Sequence, residues 1–132
     1  MFYKIKMSKE IINTDRAPEP IGPYNQAVKV GGLLFLSGQV ALVPGTNALA
    51  NKDIDEETHQ VMQNLKNVLA QAGMDFSNVV KTTILLSDMD LFGTVNAIYA
   101  QYFSGEFPAR ETYAVKGLPK NANLEISMIA AQ

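Results

Sequence analysis

The spacing of apolar and polar residues changes period several times along the chain, and each change marks an element. Glu10 to Asn13 is short and half apolar, which predicts a first strand. Arg16 to Tyr24 holds Pro18, Pro20 and Pro23, so it is extended or turning and not helical. Ile21 and Tyr24 are too apolar for a free linker, and the segment is expected to pack on the domain. Tyr24 to Val30 and Leu33 to Ser37 read as two strands around Gly31-Gly32, the pattern of a hairpin. Ser37-Gly38-Gln39 interrupts the second arm, and a glycine there marks a bulge or a close backbone approach.

The period then becomes helical. Asp53 with Glu56 three residues on resembles a capping box, and Val61, Leu65, Val68, Leu69 and Ala72 share one helical face before Gly73. This predicts a helix over Ile54 to Ala72. Asn78-Val79-Val80 leads into Lys81 to Leu86, a β-branched strand. Asp88 or Asp90 is placed to cap a second helix with Leu91, Val95, Ile98, Tyr99 and Tyr102 on its buried face. Pro108 then fixes a corner and holds Phe107 extended, with strand from there through Val115. Gly117 to Asn121 turns the chain, and Asn123 to Ala131 is the last strand. Strands, helix, strand, helix and two strands make an α+β pattern with both helices on one face of the sheet. The positions Thr83/Leu85, Thr112/Ala114 and Ile129/Ala131, read as the sheet's other face, are small or apolar. Such a face in a short chain predicts that subunits pack there.

Composition narrows the chemistry. The chain has 132 residues, enough for one domain, with 47 % hydrophobic and 18 % charged residues and a formal net charge of -2. No long basic run is present, which argues against a nucleic-acid surface. There is no cysteine and one histidine, His59, so a thiolate nucleophile, a His-based triad and a protein-only zinc cage are not expected. His59 sits among polar helix positions and reads as solvated. No apolar run is long enough to cross a membrane, and the first residues lack the pattern of a signal peptide. Residues 1–7 read as an N-terminal extension, with Met7 as an alternative start, and residues 8–132 as a single domain.

Two residues stand out. Arg110 lies at a strand entrance beside a rigid corner, where its planar fork suits a carboxylate; the ordinary alternative is an ion pair with Glu111 or another neighbouring carboxylate. Glu125 lies in the otherwise apolar strand Leu124 to Ala130, where burial would raise its pKa and suit it to proton transfer; the alternative is an exposed edge position. The two fall on successive strands joined by a turn, and a hairpin would bring them together. One Arg to hold a carboxylate and one Glu to handle protons form a minimal site for a small keto or imino acid. By residue type alone, Ser37 reads as a strand hydroxyl with a local bond, Tyr24 as a core or interface aromatic, and Asn96 as a solvated helix residue.

Taken together, Ala17-Pro18, Ile21-Gly22-Pro23-Tyr24, Ser37-Gly38-Gln39, Val79-Val80-Lys81-Thr82-Thr83, Val95-Asn96, Phe107-Pro108-Ala109-Arg110, Leu118-Pro119 and Leu124-Glu125-Ile126 resemble the RidA/YjgF family of reactive-intermediate deaminases. The resemblance implies a chorismate-mutase-like mixed sheet with two helices on one face, assembled as a barrel-like homotrimer with clefts between subunits. It implies a cytoplasmic enzyme of metabolite damage control. Its reaction is hydrolysis of 2-imino acids and their enamine tautomers, formed by dehydratases from serine or threonine, to 2-keto acids and ammonia. No metal, organic cofactor, membrane or nucleic acid is implied.

Carried over by position, Arg110 clamps the substrate carboxylate and Glu125 positions and deprotonates water, from the same or another subunit. Tyr24, Ser37, Gly38, Asn96 and Thr112 line the cleft. Thr112 stands where many members have cysteine, and Ser127 where a second acid is frequent. These departures leave room for a second reading, a non-catalytic keto-acid-binding or regulatory protein of the same fold.

Overall fold

A computed structural model describes residues 8–132; residues 1–7, the expected extension, lie outside the described residues. Six strands form one mixed sheet: β1 (Glu10–Ile12), β2 (Ala27–Val30), β3 (Leu33–Gln39), β4 (Val79–Leu86), β5 (Ala109–Ala114) and β6 (Leu124–Ala131). Two helices, α1 (Ile54–Gln71) and α2 (Phe92–Ala100), join β3 to β4 and β4 to β5. The order across the sheet is β1-β2-β3-β6-β4-β5. All pairings are antiparallel except β4 with β5. Since β3 and β4 both run against β6, they run with each other. The chain therefore makes two parallel crossovers that step the same way, and the common handedness of such crossovers sends both helices to one face.

Local signals account for these elements. Asp53 caps α1 by accepting from the Glu56 amide at 2.8 Å, and the Glu56 carboxylate reaches back to the Lys52 amide at 2.8 Å. Asp88 caps a short 3-10 turn ahead of α2, accepting from the Asp90 amide, while α2 itself has no side-chain cap. That helix ends at Ala100, so Tyr102 lies just past it and packs at the core's margin. The core joins Leu34, Leu36, Ile84, Leu86, Leu124, Ile126 and Met128 of the sheet to Val61, Leu65, Val68 and Leu69 of α1 and Val95 and Tyr99 of α2.

The proline-rich segment departs from expectation. Ile21 is 76 % exposed and Tyr24 50 % exposed. The segment is tied down by Ala17 and Gln26 instead. Gln26 is buried; its carbonyl accepts from the Thr14 amide at 2.7 Å, and its amide donates to Thr14 and Pro18 carbonyls at 2.9 and 2.8 Å. An amide that meets backbone groups in this way holds an irregular segment that no ladder can satisfy.

The sheet face opposite the helices carries Ile11, Leu33, Phe35 and Tyr113, all exposed, with Val28, Val30, Leu85 and Ile129 partly covered. The expectation of an uncovered apolar face holds, but its membership changes on β5. Thr112 pairs with Ile84 and Ala114 with Leu86, both core residues, so Thr112 and Ala114 lie on the helix side. Glu111 and Tyr113 take the open side, because the register follows β4.

Candidate functional site

The candidate residues fall into two sets on opposite faces of the sheet. The first set gathers where β5 meets α2. Arg110 pairs in register with Thr82, a buried residue of the helix side, and its side chain runs along α2. Nη1 donates to Asn96 Oδ1 at 2.7 Å. The guanidinium carbon lies 5.2 Å from the Tyr99 ring centre and 5.5 Å from that of Phe92, so two aromatic faces steady it. Tyr99 is itself fixed by donating to Thr82 Oγ1 at 3.0 Å; burial pushes its phenol up, opposed by the Thr82 bond and by Arg110.

Arg110, Asn96, Tyr99, Ala100, Phe107 and Pro108 line an open cavity of about 380 Å³. The ordinary reading of Arg110 as a partner of Glu111 is refuted. Glu111 points to the open face, where it takes Thr83 Oγ1 at 2.8 Å and Lys81 Nζ at 3.3 Å. Among the described residues no carboxylate pairs with Arg110, and most of its N–H donors stay unspent beside the cavity.

The second set lies on the open face. Between Leu36, which pairs with Met128, and Gln39, which pairs with Ile126, Ser37 and Gly38 together oppose Ser127. This bulge bends β3 and brings Gly38 against Glu125. A methyl group on Gly38 would sit 2.7 Å from Glu125 Cδ and 2.9 Å from Cγ, closer than carbon atoms pack. The glycine is thus required by the carboxylate that lies across it. Ser37 Oγ donates to the Asn25 carbonyl at 2.6 Å and its amide to the Gln26 carbonyl at 2.9 Å, which ties the bulge to the segment that presents Tyr24. Glu125 is half-buried on a central strand, not at an edge. Burial alone pushes its carboxyl above the ordinary value, with no cation beside it among the described residues.

The hairpin expected to join Arg110 and Glu125 does not form. The strand β6 inserts between β3 and β4, and β5 pairs with β4 alone. Glu125 pairs with Leu85 and Arg110 with Thr82, three residues apart on β4. An odd offset places the two on opposite faces. The backbone separation is about 10 Å across two ladder spacings and about 10 Å along the strand. Thr112, on Arg110's side, keeps its Oγ1 buried without a partner and does not line the cavity. His59 is exposed, as expected, and its Nδ1 lies 2.7 Å from the Tyr102 hydroxyl.

The sequence reading missed Phe92 and Tyr99 as supports of Arg110, having placed Tyr99 only in the core. Phe92, Asn96 and Tyr99 stand at i, i+4 and i+7 and share one helical stripe, which was the available signal. Among the described residues no group of three or more His, Asp or Glu gathers in metal-binding geometry. No helix there is long and apolar enough to cross a membrane.

The chain is thus an α+β domain with an unpaired arginine beside a cavity on one face of its sheet and a half-buried carboxylate against a strand bulge on the other. Residues 14–132 match the family model described as Endoribonuclease L-PSP, and the chain is a member of that family, the RidA/YjgF family. The chain is 49 % identical over 124 residues to the mouse 2-iminobutanoate/2-iminopropanoate deaminase, covering 94 % of this chain and 92 % of that one. It is 47 % identical to the chloroplastic Reactive Intermediate Deaminase A of Arabidopsis thaliana, covering 94 % of this chain and 66 % of the longer relative, just under two thirds. The solved structure of E. coli TdcF with bound serine superposes with a TM-score of 0.89 at 35 % identity, over 93 % of this chain and 98 % of that one.

Proposed function

We propose that this protein is a 2-iminobutanoate/2-iminopropanoate deaminase, a hydrolase that turns reactive 2-imino acids into 2-keto acids and ammonia. The observation that carries the reading is the unpaired Arg110 guanidinium, braced by Asn96, Tyr99 and Phe92 and facing an open cavity. Relatives at 46 to 49 % identity that bear this activity's name support it. So does the amino acid in the TdcF structure, whose carboxylate is the group such an arginine would hold.

Arg110 clamps the substrate carboxylate through its free N–H fork and orients C2. A water attacks C2 of the imine, and Glu125 takes its proton; burial raises the pKa of this carboxyl, which makes it a better proton acceptor than an ordinary carboxylate. Glu125 returns that proton to the amino nitrogen of the tetrahedral adduct and takes the proton of the adduct hydroxyl as C=O forms and the C–N bond breaks, so ammonia leaves with the keto acid. Ser37 and Gly38 border Glu125, Tyr24 and Asn96 flank the ligand, and Thr112 contributes its backbone.

Arg110 and Glu125 of one chain face away from each other, so a complete site takes Arg110 from one subunit and Glu125 from the next. The apolar open face, with Phe35 and Tyr113, is the surface that brings subunits together as a homotrimer. Residues 8–132 form its single domain, and damage control in the cytoplasm is the role that fits the substrate. The test is to generate iminopropanoate in situ with a dehydratase and follow its decay. Wild-type protein accelerates the decay and Arg110→Ala abolishes the effect. Keto-acid binding without any acceleration would select the non-catalytic reading instead.

A further inference from the structure

Glu57 is fully buried in the first turns of α1, and no cation lies beside it among the described residues. A carboxylate in that state is costly, although the helix N-terminus eases its charge. Both of its oxygens are spent on a single residue. Oε2 accepts from the Asn123 backbone amide at 2.7 Å and Oε1 from Asn123 Nδ2 at 2.7 Å. Two bonds to one residue hold its peptide plane and its side chain at once. Asn123 is also held from the other side: its carbonyl accepts from the Ser87 amide at 2.9 Å, at the end of β4.

Asn123 is the last residue before β6, two positions ahead of Glu125. The turn before it is a strained one, with Lys120 and Asn121 both at positive φ, 57° and 55°. Without an anchor this turn would let the entrance of β6 shift. At the far end of that short lever Glu125 lies across Gly38 with no spare room.

We infer that Glu57, through Asn123, is a positioning residue for the reaction, setting the entrance of β6 so that the Glu125 carboxylate is held against Gly38 in its working place. This rests on the deaminase reading above. Arg110 stands on β5 and is braced by α2, outside this linkage, so the Glu57–Asn123 contact bears on proton handling and not on carboxylate binding.

The test replaces Glu57→Gln and, as a milder variant, Asn123→Ala, and measures kcat on iminopropanoate and the Kd of pyruvate. Glu57→Gln offers an amide where one Asn123 donor needs an acceptor. The expected result is a kcat lower by about tenfold or more, as a displaced catalytic group gives. The pyruvate Kd stays within about twofold, because Arg110 is untouched. Asn123→Ala lowers kcat less, and the double variant is no worse than Glu57→Gln, the sign of a shared linkage. Leu69→Ala, a core substitution that lowers Tm, serves as the control for stability loss and keeps kcat well below its Tm.

An unchanged kcat in both variants overturns the inference, as does a Kd that weakens in step with kcat or a control that loses as much. Should Glu57→Gln fail to fold, Asn123→Ala decides by the same readouts. Wild-type protein without activity would instead overturn the deaminase reading.

Discussion

The proposed division of the site between subunits yields a quantitative prediction. Within one chain, Arg110 and Glu125 sit on opposite faces of the sheet with β4 between them. Their backbones are offset by about 10 Å in each of two directions, and their side chains point apart. The carboxylate and C2 of an imino acid are joined by one covalent bond, so one chain cannot serve both. Arg110→Ala and Glu125→Gln, each alone, remove one half of every site and are inactive. Co-expressed in equal amounts and purified as mixed assemblies, they restore some sites. A subunit with intact Arg110 must adjoin one with intact Glu125, and random filling of a closed ring gives each site about one chance in four. The mixture therefore recovers about a quarter of the wild-type rate, whatever the number of subunits in the ring. The assay is imine decay on the mixed protein, with mixing verified by distinct tags and native mass spectrometry. Mixed rings with no activity above that of the single variants would refute the argument, since a site built from one chain recovers nothing.

Further outcomes follow from the same geometry. Gly38→Ala forces a methyl group to within 2.7 Å of Glu125 Cδ, so kcat falls about tenfold or more while pyruvate binding persists; kinetics and calorimetry check this. Arg110→Lys keeps the charge but loses the fork and the aromatic contacts, and kcat/KM falls by about a hundredfold. Glu125 has a folded-state pKa raised by burial, so the folded protein holds a proton that the unfolded chain has released, and stability falls as pH rises through this window. Glu125→Gln removes that loss: its Tm exceeds the wild type's at neutral pH, and the gap closes below the ordinary carboxylate range. Thr112→Val removes a buried hydroxyl that has no partner and raises stability by about 1 kcal/mol, read by denaturant unfolding.

Much of this was legible in order along the chain. Periodicity placed the helices and strands to within a few residues, because capping at Asp53, the Gly73 stop and the Pro108 corner are local events. Gly38 as a close-approach glycine, and Glu125 as a carboxylate perturbed by burial, were also readable, since each is a residue type at odds with its neighbours. What brings them together was not. The partner of Gly38 is a side chain 87 residues further on, met only because β6 inserts between β3 and β4. That insertion also broke the expected hairpin. Adjacent strands joined by a turn usually pair, but here the parallel crossover through α2 had already put β5 at the edge of β4. The same register moved Thr112 from the open face to the helix side and gave Glu111 to Lys81 and Thr83, which left Arg110 free. Local chemistry therefore determined the elements and the candidate groups. Only long-range strand pairing decided which face each group occupies, because a face is set by register, and register is a property of two strands and never of one.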